Sequence, residues 1–233
     1  MIVRDMYVAL KYGISEWYRE MFQENKQNSK YLNYVLALAI AGSVVWGGYK
    51  LYNYYIHSRE ASAQKVLNEC VAELNKAKGG MGSWYDVEVA FDMAHQQNSG
   101  SQLAPFFLAF KAEAEYNQGK VKEAIATLSK SLDNMGQTSD FFGLYNVKRA
   151  LMKLDAKDDA LQQQGLQELQ AASQKNDSGQ GVALFHLGSY YWDKNDFAKA
   201  KEPWKKLVAL YDEKDGTLSQ YAQLAKERLK QID

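Results

Sequence analysis

The side chains that could do chemistry in this chain are few and scattered. Its three histidines, His57, His95 and His186, make no metal-spacing pair with one another or with the single cysteine, Cys70. None belongs to a recognisable Ser/His or Cys/His nucleophile signature. His186 lies among apolar residues, as a structural histidine does. Cys70 lies inside an apolar stripe, where a thiol behaves as a small hydrophobe. Gly79-Gly80 reads as a helix stop, because the lysine of a phosphate-cradling loop does not follow it. These observations predict no enzyme, no catalytic residue, no cofactor and no metal. With one cysteine, an intramolecular disulfide is impossible.

Contact chemistry is better represented, and a repeat would position it. Gly181 to Lys214 follows the roughly 34-residue tetratricopeptide pattern. Leu184, Leu187, Gly188 and Tyr191 occupy the large, large, small and aromatic positions of a first helix. Asn195 makes the turn, and Phe197, Ala200, Trp204 and Leu207 supply the second helix. Only the terminal proline is missing, where Asp212 stands. An earlier unit has Leu108 and Ala112 in its first helix, Gly119 and Val121 at the turn, and Ala124 and Leu128 in its second. Gly165 and Leu169 fit a degenerate unit between the two. The step from Ala124 to Gly165 is longer than that from Gly165 to Ala200, which predicts a longer loop around Gln137 to Asp140. Tyr221, Leu224, Ala225 and Leu229 read as a helix capping the stack, since each repeat buries its face only against a neighbour.

First helices of such repeats line a concave groove. That register puts Phe106, Ala109, Glu113, Tyr116 and Asn117, then Phe185, Ser189, Trp192 and Asp193, at groove positions. Phe106, Tyr116, Phe185, Ser189 and Trp192 are the predicted protein-binding set. Exposed rings there would suit extended apolar segments, with Glu113 and Asp193 as a polar edge.

The elements before the repeats are different in kind. Tyr31 to Tyr49 carries no charge and, at about 1.5 Å per residue, is roughly as long as a bilayer's hydrocarbon core is thick. Lys30 and Lys50 bracket the run, and Tyr31, Tyr34, Trp46, Tyr49, Tyr52, Tyr54 and Tyr55 form an interfacial belt. The residues before it are too many for a signal-peptide n-region. Ala39, Ser43 and Gly47 form a small-residue ridge suited to packing against another membrane helix. Within about 20 residues of the span, Lys11, Arg19, Lys26 and Lys30 stand against Lys50, Arg59 and Lys65, which predicts a cytoplasmic N-terminus. Upstream, Val3, Tyr7, Leu10, Ile14, Trp17 and Met21 form one apolar seam of an amphipathic helix. After the span, Val66, Leu67, Cys70, Val71 and Leu74 make a stripe, and Ser83 begins a short helix with Trp84, Val87, Phe91 and Ala94 on one face.

Composition excludes one class of partner. Lys+Arg and Asp+Glu both number 28, and the balance from His57 onward is slightly acidic, so nucleic acid is not expected. Two prolines among abundant Ala, Leu, Gln, Glu and Lys favour helix throughout. The predicted fold class is all-α: an N-terminal transmembrane helix and then a tetratricopeptide-like solenoid of helical hairpins. The predicted organisation is a cytoplasmic amphipathic segment (1–30), the span with its aromatic belt (31–56) and a periplasmic domain (57–233).

Short stretches also carry a resemblance: Trp17-Tyr18 and Glu24-Asn25-Lys26 before the span, and Trp46-Gly47-Gly48-Tyr49 closing it. Arg59-Glu60-Ala61-Ser62 and Ser101-Gln102-Leu103-Ala104-Pro105 follow. With the overall plan they resemble the single-pass ancillary subunits of the bacterial Sec translocon. The resemblance implies a location in the inner membrane and association with the translocon core as the integral membrane partner. It also implies contact with periplasmic chaperones or unfolded client segments, and help for proteins emerging in the periplasm. An assembly scaffold for another envelope complex is the alternative, and a membrane-anchored enzyme a distant third.

Overall fold

A computed structural model describes residues 29–212 and 219–232, the side chains of 29–33, 36 and 212 excepted. Every regular element among them is a helix. The helices are α1 (Ser29–Lys78), α2 (Trp84–Gln97), α3 (Ala104–Asn117), α4 (Val121–Met135) and α5 (Phe142–Leu154), followed by α6 (Asp159–Gln174), α7 (Gln180–Asp193), α8 (Phe197–Asp212) and α9 (Gln220–Leu229). Of the predicted amphipathic segment (1–30), residues 1–28 lie outside the described residues.

The chain divides into two compact units, Met1–Ser58, described from Ser29 onward, and Arg59–Asp233. The predicted span and the stripe from Val66 to Leu74 fall within the single helix α1. No glycine or proline stands between Lys50 and Lys78 to break it. Among the described residues, no helix is long and apolar enough to cross a membrane. The predicted span opens at Tyr31, however, and the side chains of 29–33 and 36 lie outside the description.

The second unit is built by one repeated rule. Cys70, Leu74 and Ala77 of α1 bury against Val87, Phe91 and Ala94 of α2, and Phe107 and Ala114 of α3 close the cluster. Ala109, Ala112, Ala124, Ile125 and Leu128 of the α3–α4 pair bury with Met152 of α5. Val147, Ala150, Leu169 and Ala172 of α5–α6 bury with Ala183 and Leu187 of α7. Leu184, Ala200, Trp204 and Leu207 of α7–α8 bury with Ala222 and Ala225 of α9. Each core is thus a helical pair completed by the first helix of the next pair, so no pair could bury its apolar face alone.

Local chemistry starts and stops these helices where the rule needs it. The N–H of Tyr85 donates to Ser83 Oγ, capping α2; Asp158 accepts from Ala160 and Leu161 at the start of α6; Ser219 accepts from Ala222 at the start of α9. Pro105 sits in the first turn of α3, where its missing N–H costs nothing. Asn195 turns α7 into α8 at φ 57°, a left-handed conformation that asparagine tolerates. Gly188 permits the closest crossing, because a Cβ there would lie 2.3 Å from Nε1 of Trp204. That indole is 1% exposed and donates from Nε1 to the Phe185 carbonyl at 3.1 Å.

Candidate protein-binding surfaces

Odd-numbered helices face one another across successive pairs, and most of the predicted binding residues lie on them. Lys148 of α5 donates to Glu113 of α3 at 2.6 Å, a pair separated by 35 residues. Lys78, at the end of α1, contacts the other oxygen of Glu113 at 2.7 Å. Burial alone would raise the Glu113 carboxyl, but the two ammonium groups outweigh it and hold the pKa below the usual carboxylate value. Glu113 is therefore a tie between three helices. Beside it, burial and then the Glu113 charge push the Tyr145 phenol up to about 12.

Phe106 and Tyr116 flank this tie. Phe106 is half-buried, edge-on to Phe141 at 5.3 Å and to Tyr145 at 6.2 Å. The Tyr116 hydroxyl donates to Asp155, which pushes its pKa up to about 12. Ala109 departs from its predicted groove position. It is fully buried because it shares the small-residue side of α3 with Ala112, packed on α4 and Met152 of α5.

At the other end, Phe185 and Trp192 are half-buried and have neighbours on α9. The Phe185 ring lies 5.1 Å from that of Tyr221, and His186 packs on both. Burial lowers the His186 pKa against the pull of Asp155. Trp192 meets Phe197 at 4.9 Å and Trp204 at 5.7 Å, and Arg228 of α9 lies 5.1 Å above its ring. Tyr221 and Arg228 follow one another along α9 as Phe185 and Trp192 do along α7, so the two helices run in the same direction. Ser189 spends its hydroxyl on the Phe185 carbonyl at 3.0 Å. Asp193 is exposed at the end of α7.

The small-residue ridge belongs to the first unit. Ser43 donates to the Ala39 carbonyl at 2.8 Å, so its hydroxyl is satisfied within the helix. Ala39, Ile40, Ser43 and Val44 line a shallow depression, and nothing lies within 4 Å of where a Cβ on Gly47 would be. Around the ridge the described large apolar side chains from Tyr34 to Tyr55 are exposed, among them Leu38 at 72% and Val45 at 73%.

Two features were not legible as sites. The stretch Arg59–Ser62 meets the stretch Ser101–Pro105: Glu60 accepts from Ser101 Oγ at 2.6 Å and from the Gln102 N–H at 3.1 Å. A cleft of about 810 Å³ opens near this contact, between the ends of α2 and α4 and the start of α3, lined in part by Phe106, Asp140 and Phe141. The only hint of it in the sequence was the irregular step that predicted a loop near Asp140.

No set of three or more His, Cys, Asp or Glu side chains able to hold a metal occurs among the described residues. His95 contacts the Ala104 carbonyl through Nδ1, and Cys70 is buried with its thiol pushed up, chiefly by desolvation. No protein-family model matches the chain, and no curated protein matches it.

Proposed function

We propose that this protein is a membrane-anchored protein-binding module: a single N-terminal span carrying a tetratricopeptide-like solenoid that holds other polypeptides. The carrying observation is the outer surface of α1. From Tyr34 to Tyr55 its described large apolar side chains are each more than half exposed, on every side of the helix. Water does not tolerate such a surface: it costs roughly 25 cal/mol for every Å² left wet. A helix apolar all round belongs in a protein core or in lipid. The flanking lysines and rings favour lipid, and Lys50 lies over the Trp46 ring at 5.6 Å, an arrangement suited to an interface.

The second unit supports the binding half of the reading. A core assembled from a helical pair plus the next first helix is how hairpin repeats stack. Stacks of this kind act through extended surfaces. On the charge asymmetry around the span, the N-terminus is cytoplasmic and the repeat unit periplasmic. The translocon core is the integral membrane partner that the resemblance implies, with chaperones or emerging unfolded segments as soluble partners.

The test is purification of the full-length protein in mild detergent, with partners identified by mass spectrometry. Recovery of translocon subunits is the expected result. Reproducible recovery of a different envelope complex would replace the translocon with that scaffold role. A reporter active only outside the cytoplasm, fused after Asp233, should be active; activity of a cytoplasmic reporter alone would overturn the orientation.

A further inference from the structure

The helix that closes the stack has a slender hold on it. α9 is 10 residues long, a length at which an isolated helix is marginal in water, so packing keeps it helical. Its two buried residues, Ala222 and Ala225, are small, and Leu229 and Ile232 add partly covered side chains. Its one ring, Tyr221, meets Phe185 of α7 at 5.1 Å and His186 at 6.2 Å. Arg228 adds a cation over Trp192.

One member of this joint can change its charge near neutral pH. His186 packs edge-on to Phe185 at 5.4 Å. Its ring nitrogens make no hydrogen bond to a described residue and are not sealed from solvent, so a proton from water reaches them. Burial disfavours the charged ring, and the charge that favours it is Asp155, at the end of α5, which also accepts from the Tyr116 hydroxyl of α3. α5 and α9 flank α7 in the row of odd-numbered helices. An imidazolium is therefore drawn toward α5, away from the ring that joins α7 to α9.

We propose that α9 is a proton-operated cap: charging His186 loosens the α7–α9 joint and releases α9 from the last core while the earlier pairs stay folded. Release uncovers Leu184, Trp204 and Leu207, which share that core with Ala222 and Ala225. Because the folded chain holds His186 below its ordinary pKa, the closed state is fully stable above about pH 6.5 and weakens as pH falls toward the lowered value. That window lies above the one in which Glu113 titrates, so the two joints separate by pH.

The test is hydrogen exchange on the full-length protein in detergent micelles, read by mass spectrometry near neutral pH and about one unit below the ordinary histidine value. Labelling times are scaled for the intrinsic pH dependence of exchange. Peptides covering α9 should exchange several-fold faster in the acidic sample, and those covering α2 and α4 no faster. His186→Phe keeps a ring in place and should abolish the difference, with α9 protected at neutral pH as in the parent. If His186→Phe itself exposes α9 at neutral pH, Asp155→Asn decides. It removes the group that favours the charged ring, so the onset should move to lower pH, and an unmoved onset would overturn the cap. Equal protection of α9 at both pH values, or a difference that persists in a protected His186→Phe, would overturn it too. So would faster exchange spread evenly over the repeats, which would make the acid loss global. A His186 pKa above its ordinary value, read from ring-proton NMR, would mean that the rings hold the imidazolium and would equally end the proposal.

Discussion

The joint between α3 and α5 and the joint between α7 and α9 do the same work with different chemistry. At the first, Glu113 is clamped between Lys78 and Lys148, and Tyr116 donates to Asp155. At the second, Phe185 meets Tyr221, and Trp192 is roofed by Arg228 and floored by Trp204. An ionic joint sets register sharply, because charge-assisted hydrogen bonds are short and directional, but it answers to acid and salt. An aromatic joint works through buried area and ring geometry and answers less to salt, while His186, packed on Phe185 and Tyr221 with its pKa lowered by burial, gives this one its own loss of stability in acid. The same helical pairing can therefore be held by ion pairs at one end and by rings at the other.

The largest expected effect lies at the aromatic end. Trp204→Ala removes a fully buried indole and its hydrogen bond to the Phe185 carbonyl. It should cost about 3–5 kcal/mol in denaturant unfolding of the full-length protein. That loss should be the same in low and high salt; strong salt dependence would mean the end is held by charge after all. Next comes the double variant Phe185→Ser with Trp192→Ser. Both rings are half-buried against α8 and α9, so it should lower stability by about 2–3 kcal/mol, again independent of salt. An unchanged melting temperature with lost client binding would instead assign both rings to a groove wall.

At the ionic end, Glu113→Gln should cost less, about 1–2 kcal/mol near neutral pH. Its pH dependence is the sharper signature. The Glu113 carboxyl is held below its ordinary value in the folded chain. Its contribution is therefore complete above the unfolded carboxylate pKa and is lost as pH falls through the depressed folded value. Parent and variant should converge in acid, and unfolding curves at neutral and acidic pH measure this. A gap that persists in acid would show that the side chain acts by packing rather than by charge.

Legibility followed distance along the chain. The α7–α8 pair could be read because Gly188 and Trp204 announce their crossing by type and spacing inside one stretch. Ser83 announced its cap in the same way. Glu113 looked like a free polar edge, since its lysines lie 35 residues away on either side and hydropathy does not register them. Ala109 misled because alanine suits a groove wall and a tight helix contact equally well. Phe185 and Trp192 were read from the angle on their own helix, which carries no information about the helix stacked over it. The cleft at Asp140 and Phe141 was hidden for a related reason. It is made by helix ends and the segments that join them, brought together from distant parts of the sequence.

The smallest effect tests whether charge on α3 helps only where it is paired. Glu115 stands two residues from Glu113 and is turned into the hairpin interior, 5% exposed. Lys111 is 3.8 Å away but bonds more closely to Asp92, and Oε2 of Glu115 has no hydrogen-bond partner. Burial raises its pKa; a bond from Thr127 and the charge of Lys111 oppose this, while Glu88 adds to it. A carboxyl with a raised folded pKa penalises folding once it must ionise. That penalty is absent below the unfolded pKa and complete above the folded one. Glu115→Gln keeps the shape and removes the charge. It should raise stability by up to about 1 kcal/mol at neutral pH and change nothing in acid. Its pH difference thus has the opposite sign to that of Glu113→Gln, from the same helix, in the same unfolding experiment. A loss of stability at neutral pH would mean that ionised Glu115 is paired with Lys111 in solution, and the interior side of α3 would then be ionic as well.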